Sequence, residues 1–329
     1  MIPIVVDKHC NHPRLEWIDF ARGITIILMV LGHTTIPNYI SKYIWSFHMP
    51  LFFVVSGMMY NPIKYESFGV LLKKKIKKLV IPYFFFSAIV FCAYYGTPYW
   101  NTSELYLGWK GYALWFIPVL FWGNLFLFFI TRIPSRFFQI LVAILGLVVS
   151  ESFYLLDLHF PFKMEVVPFA LFFIIAGFIG KDFFLKNDVK WQVVLICGAG
   201  TVVLSQVLPK LDMCINYMGY FGINAFNALL GAYFIFSISK IICLLIPSKC
   251  TSPVRWCGRN SLFIMAFSQL FNYWILVLLA KLGLPHIVQL GLRYIILFVS
   301  IWLFAEGLKK FTPYLVGEDY KYERSKSGC

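Results

Sequence analysis

Residues 20–37 read FARGITIILMVLGHTTIP, an apolar stretch with Arg22 near its start and His33 near its end. Coiled as an α-helix it covers roughly 27 Å, close to the ~30 Å of a bilayer's hydrocarbon core. Nine more runs of this kind follow, near 43–60, 79–96, 113–131, 137–155, 166–180, 190–208, 223–246, 260–280 and 287–308. The chain therefore reads as an all-α integral membrane protein, a bundle of about ten transmembrane helices forming one domain over residues 1–329. Composition agrees. Of 329 residues, 60% are hydrophobic and 13% charged, against about 25% charged in a soluble domain, too few to cover a water-facing surface. Pro50, Pro82, Pro118 and Gly146 fall inside runs, which membrane helices tolerate where neighbours re-satisfy the backbone.

The net charge of +14 speaks to topology rather than to a nucleic-acid partner, because the basic residues lie between the apolar runs. With the N-terminus inside, 23 of the 29 Lys and Arg fall on the cytoplasmic side, and only Lys42, Lys110, Lys163, Lys210, Lys281 and Arg293 fall outside. Both termini are thus expected in the cytoplasm, 1–19 as a leading segment and 309–329 as a tail. Met1 to Phe20 lacks the pattern of a cleaved signal, since charged residues precede the first apolar run. The stretch 97–112, with Trp100, Tyr106 and Trp109, reads as interfacial. Eight scattered cysteines without a CxxC pair support neither zinc nor redox chemistry, and no metal is expected.

An ionisable group inside a membrane helix is expensive, so each one is a functional candidate. The first run has the densest set. Arg22 and His33 are eleven residues apart, which puts them on nearly one helix face about 16 Å apart along the axis. Asp19, one turn before Arg22, is placed to pair with its guanidinium. The bland alternative makes Arg22 a snorkelling residue and His33 an interfacial one. Against it stands the next run, where Ser46-Phe47-His48-Met49-Pro50-Leu51-Phe52-Phe53 brings a second imidazole to the same end after a short connection. Elsewhere Glu151, Asp157, His159 and Glu165 flank an outer loop, where exposed charges usually bind nothing specific. Arg293 and Glu306 read as snorkelling or paired, Arg132, Arg136 and Arg255 as topology markers, and His286 as a solvated loop residue. Trp100, Trp109 and Trp115 offer stacking faces.

Arg22-x10-His33, the FHMPLFF stretch over 47–53 and Ser56-Gly57 together resemble the membrane-bound acyltransferase 3 family, many members of which O-acetylate bacterial sugars. The likeness continues at Lys77-Lys78-Leu79-Val80-Ile81-Pro82-Tyr83, Leu114-Trp115-Phe116-Ile117 and Gly258-Arg259-Asn260-Ser261-Leu262. The chain departs from it at Phe267-Ser268-Gln269, where many relatives carry a histidine.

The resemblance implies acyl transfer from acetyl-CoA, a co-substrate, to a hydroxyl of a glycan or lipid-linked glycan, in a bacterial inner membrane, with membrane lipid around it. His33 would be the essential imidazole and His48 its companion in catalysis. An imidazole with a pKa near 6.5 can take the proton of an alcohol as the C–O bond forms, or can carry the acetyl group itself; the base role is favoured here. Arg22, Lys73, Lys77, Lys78 and Arg259 are the candidates for holding the phosphates of acetyl-CoA. For the lysines the competing reading is an anchor at anionic lipid headgroups. The rival functions are a transporter or flippase for a saccharide or anion, and a non-catalytic scaffold. Transport sits poorly with the lack of a visible internal repeat and the few mid-membrane charges.

Overall fold

Wherever the sequence places a long apolar run, the chain is helical. The computed structural model describes residues 15–100, 113–185, 189–283 and 285–317. Lys8, Arg14, Tyr106, Trp109, Lys110, Lys186 and most of the expected tail lie outside these residues, as does the side chain of His286. In order come α1 (Glu16–Gly32), α2 (Asn38–Met58), α3 (Phe68–Ala93), α4 (Phe116–Arg132), α5 (Arg136–Leu155) and α6 (Val167–Ile179). Then follow α7 (Trp191–Val207), α8 (Ile223–Leu245), α9 (Ser248–Arg259), α10 (Ser261–Lys281) and α11 (His286–Phe311). Among the described residues there is no strand, only an isolated antiparallel bridge between Asp212 and Tyr217.

Among the described residues six helices are long and apolar enough to cross a membrane: α3, α5, α8, α10, the Gly291–Phe311 part of α11, and α6 with the turn before it, Pro161–Ile179. The other four apolar runs also form helices, but α1, α4 and α7 are 17 residues long, and α2 carries Lys42, Ser46 and His48 among its 21. Outward faces fit lipid. On α5, Phe137, Ile140, Ile144 and Leu145 are exposed, and on α7 so are Leu195, Ile196 and Val203, a girdle no water-soluble surface would keep.

Several boundaries move from their expected places. The first helix starts at Glu16 and stops before His33, so the imidazole sits at the helix end rather than within the span. The lysine run is helical rather than a loop, because α3 begins at Phe68 with Ser67 as its N-cap. A π turn at Ile76–Val80 interrupts α3 just before Pro82. A widened turn there accommodates a proline that has no N–H and whose ring crowds the carbonyl four residues back. His286, expected in a loop, opens α11.

Two helix pairs set the core. The most extensive contact joins α1 to α9, and the next joins α2 to α6. Both depend on missing side chains. A Cβ on Gly23 would strike the Val254 carbonyl oxygen, and one on Gly258 the Asp19 carbonyl oxygen; Gly57 and Gly177 play the same part between α2 and α6. Small residues that let backbones touch are how membrane helices pack when apolar burial no longer drives association. The amphipathic α9, which the sequence reading took as a connecting loop, is thereby pinned along the helix carrying Arg22 and His33.

Candidate functional site

At the end of α1, Gly32 closes the helix and the indole of Trp45 on α2 donates to its carbonyl (Nε1 to O, 3.1 Å). This capping bond lays the Trp45 ring against His33, with centroids 5.1 Å apart and planes tilted by 30°. His33 and His48 then face one another edge to face, 6.2 Å between ring centroids. Thr34, next in sequence, links to α11 through its hydroxyl and the Tyr294 hydroxyl, 2.8 Å apart.

Each imidazole is oriented by its own helix. His33 Nδ1 lies 2.9 Å from the Met29 carbonyl oxygen, and His48 Nδ1 lies 2.9 Å from the Ile44 carbonyl oxygen. A carbonyl can only accept, so Nδ1 carries the hydrogen in both rings and Nε2 keeps its lone pair. His48 is 2% exposed, whereas His33 is open to solvent.

Both rings line a cavity of about 220 Å³ whose walls include Met29, Trp45, Met49, Trp115 and Gln269. Gln269 comes from the segment of α10, Phe267-Ser268-Gln269, that departs from the family pattern. The remaining wall is the connection between α7 and α8, from Leu211 to Ile215. Two features steady it. Asp212 and Tyr217 exchange backbone hydrogen bonds (3.0 and 2.9 Å), and the Asp212 carboxylate accepts from Cys214 N–H at 3.0 Å. Lys210 Nζ sits 3.6 Å from the Trp45 ring centroid and donates to Ser41 Oγ (3.3 Å). Burial pushes the Asp212 carboxyl above its ordinary pKa, against the pull of the Cys214 amide and Lys210. Burial likewise lowers the Lys210 ammonium, with Asp212 opposing.

Behind this wall lies the turn Pro161–Val166, which packs against Met213–Ile215. Here the expectation of exposed loop charges is corrected for Glu165, which is buried and paired with the buried Lys163 at 3.6 Å. Glu165 also accepts from Phe160 N–H (3.1 Å), and Phe162 and Lys163 take left-handed φ values of 57° and 58° to make the turn. His159 and Asp157 are exposed as expected and lie 3.1 Å apart.

At the other end of α1, Arg22 Nη2 donates to Ser261 Oγ (2.7 Å), tying α1 to the start of α10, and Asp19 is buried one turn earlier. The remaining cation candidates divide. Lys73, Lys78 and Arg259 are exposed, and Lys77 lies over the Tyr314 ring at 4.5 Å. Lys75, not singled out in the sequence, turns inward and donates to Asn124 Oδ1 (2.7 Å), whose amide donates to Ser56 Oγ (3.2 Å). Arg255, expected as a topology marker, is buried, ion-paired with Glu16 and bonded to Ser248. At the His33 end, Arg293 is buried with its Nε on Asn272 Oδ1 (2.6 Å).

Sequence reading singled out both imidazoles and Arg22; the structure adds Trp45 and Asp212 around the same cavity and Ser261 beside Arg22. Trp45 had a signal, three residues before His48 on one helix. Asp212 had a fainter one, an acid beside Lys210 in a short connection.

A family model described as an acyltransferase domain, acyltransferase 3, matches residues 15–305. No curated protein and no solved structure matches the chain.

Proposed function

The chain belongs to the membrane-bound acyltransferase 3 family, and on that premise we propose that it moves an acetyl group from acetyl-CoA to a hydroxyl of a cell-surface polysaccharide or its lipid-linked precursor. It would do so from a bacterial inner membrane, with ten spans and both termini in the cytoplasm. The acyl donor's phosphates meet Arg22, with Lys73, Lys77, Lys78 and Arg259 drawing the anion toward that end. The thioester extends along α1 to His33.

The observation that carries the reading is the pair of imidazoles whose Nδ1–H groups are spent on the Met29 and Ile44 carbonyls. Each Nε2 lone pair is then the only basic position left on its ring, and both rings line one cavity. His33 Nε2 takes the proton of the acceptor hydroxyl as its oxygen attacks the acetyl carbonyl. The C–O bond forms, the C–S bond breaks, and the imidazolium returns the proton to the leaving thiolate, giving acetyl ester and free thiol. His48, buried behind the first ring, holds His33 in place. Its neutral edge also leaves room for the charge that develops there.

The test is incorporation of radiolabel from acetyl-CoA into envelope glycan, in membranes with the intact chain, His33→Ala or His48→Ala at matched abundance. Removing a general base is expected to slow transfer by about 10²–10⁴-fold. Transfer undiminished in His33→Ala moves the chemistry off this residue. No label from the intact chain onto glycan of a strain lacking it sinks the acyl-transfer reading.

A further inference from the structure

One carboxylate in the cavity has no part in the proton transfer just described. Asp212 lines the same space as His33 and His48, and its main chain is pinned by the two bonds to Tyr217. It does not orient either imidazole, since both Nδ1–H groups are already used by helix carbonyls. Nor is it part of an ion pair among the described residues, because the nearby ammonium of Lys210 is held on Trp45 and Ser41. Its hydrogen-bond partners are the backbone amides of Cys214 and Ile215. An ionised carboxylate has about four lone-pair sites, so capacity remains for a ligand.

The chemistry of that ligand follows from charge. A carboxylate repels phosphates, and Arg22, the cation that suits a phosphorylated donor, is at the far end of α1. Asp212 therefore belongs with the acceptor. Carboxylates receive hydroxyl hydrogens, and the Trp115 indole in the wall offers apolar surface to a ring's C–H bonds. Gln269 adds an amide that can both donate and accept.

We infer that Asp212 is an acceptor-positioning residue, receiving a hydroxyl neighbouring the one His33 deprotonates, and that it selects an uncharged sugar ring over an acidic one. The inference rests on the acyl-transfer reading and deepens it. Asp212 acts on binding and orientation of the acceptor, so its removal weakens acceptor use and leaves the donor side alone.

The experiment measures initial rates of label transfer from acetyl-CoA to isolated envelope glycan, prepared from a strain lacking the chain, as the glycan concentration is varied. Purified intact protein, Asp212→Asn, Asp212→Ala and His33→Ala are compared. Asparagine keeps an oxygen for the Cys214 amide, so Asp212→Asn preserves the turn while removing the charge and one acceptor. A charge-assisted hydrogen bond lost in this way corresponds to about a tenfold or greater rise in the glycan KM. The KM for acetyl-CoA is expected to stay unchanged and kcat to hold within about threefold in Asp212→Asn, with a larger glycan effect in Asp212→Ala. An unchanged glycan KM in Asp212→Asn overturns the inference. So does a fall in kcat with both KM values fixed, which would make Asp212 an electrostatic aid to His33 instead. His33→Ala separates the two levels: if it transfers label as well as the intact chain, the acyl-transfer mechanism itself has failed, whatever Asp212 does.

Discussion

Replacing Gly258 by alanine tests the packing that holds the site. The added Cβ would collide with the Asp19 carbonyl oxygen, and the next nearest atoms are also backbone, Asp19 C and Gly23 N. Backbone cannot rotate aside as a side chain can, so α9 must retreat from α1 by roughly 1.7 Å to restore a contact near 3.5 Å. A gap of that size forfeits about a half or more of the dispersion energy along the seam, and overpacking of this kind typically costs about 1–3 kcal/mol. The upper end is expected, because α1–α9 is the most extensive helix contact. About 3 kcal/mol is roughly a 150-fold loss in the folded-to-unfolded ratio. Function should fall with it, since α9 runs through Asn260 into Ser261, the partner of Arg22. The assay is the thermal midpoint of purified protein in one detergent, with Gly200→Ala as control, whose Cβ meets nothing within 4 Å. A Gly258→Ala midpoint equal to that of the control would refute the close-contact argument.

Three further outcomes are expected. Ser261→Ala removes a hydrogen bond to Arg22 and should raise the acetyl-CoA KM by about 3–10-fold with the glycan KM unchanged, while Arg22→Ala should do more; equal donor KM values would detach this end of α1 from the donor. Asn124→Leu strands the Lys75 ammonium and should cost about 2–3 kcal/mol in midpoint-derived stability. Asn124→Asp, which keeps an acceptor, should cost less; the reverse order would show that Lys75 does not depend on the bond. Because burial raises the Asp212 pKa, acidification protonates it from a higher pH than an ordinary carboxylate, and the glycan KM should climb as pH falls through that raised value. Asp212→Asn should show no such acid limb; persistence of the limb would assign it to another group.

Much of the helix order could be read from hydropathy alone, because a run of apolar residues long enough to span lipid has few structural alternatives. The imidazole pair was legible for a similar reason, since a polar group in such a run stands out. What escaped depended on tertiary contact. The helix at 248–259 is short and amphipathic, with Pro253 inside, and only Gly23 and Gly258 disclose that it lies flush against α1. Lys73–Lys78 looked like a loop because charge argued against a span, yet Ser67 caps a helix there and a π turn carries it into the apolar part. Asp212 was hidden because its importance comes from a connection folding back over a cavity, which no local pattern encodes.

The length of α1 has a further meaning for the reaction as proposed. One helix offers a cation to the donor at its cytoplasmic end and a proton acceptor to the substrate at its opposite end. If the acceptor hydroxyl enters from outside and free thiol leaves inside, each turnover sends an acylium equivalent outward and brings one proton back. The exchange is electroneutral, so the membrane voltage neither drives nor opposes it. Nor does a pH difference across the bilayer drive it, because the proton passes from the acceptor hydroxyl to the thiol without exchanging with either bulk phase.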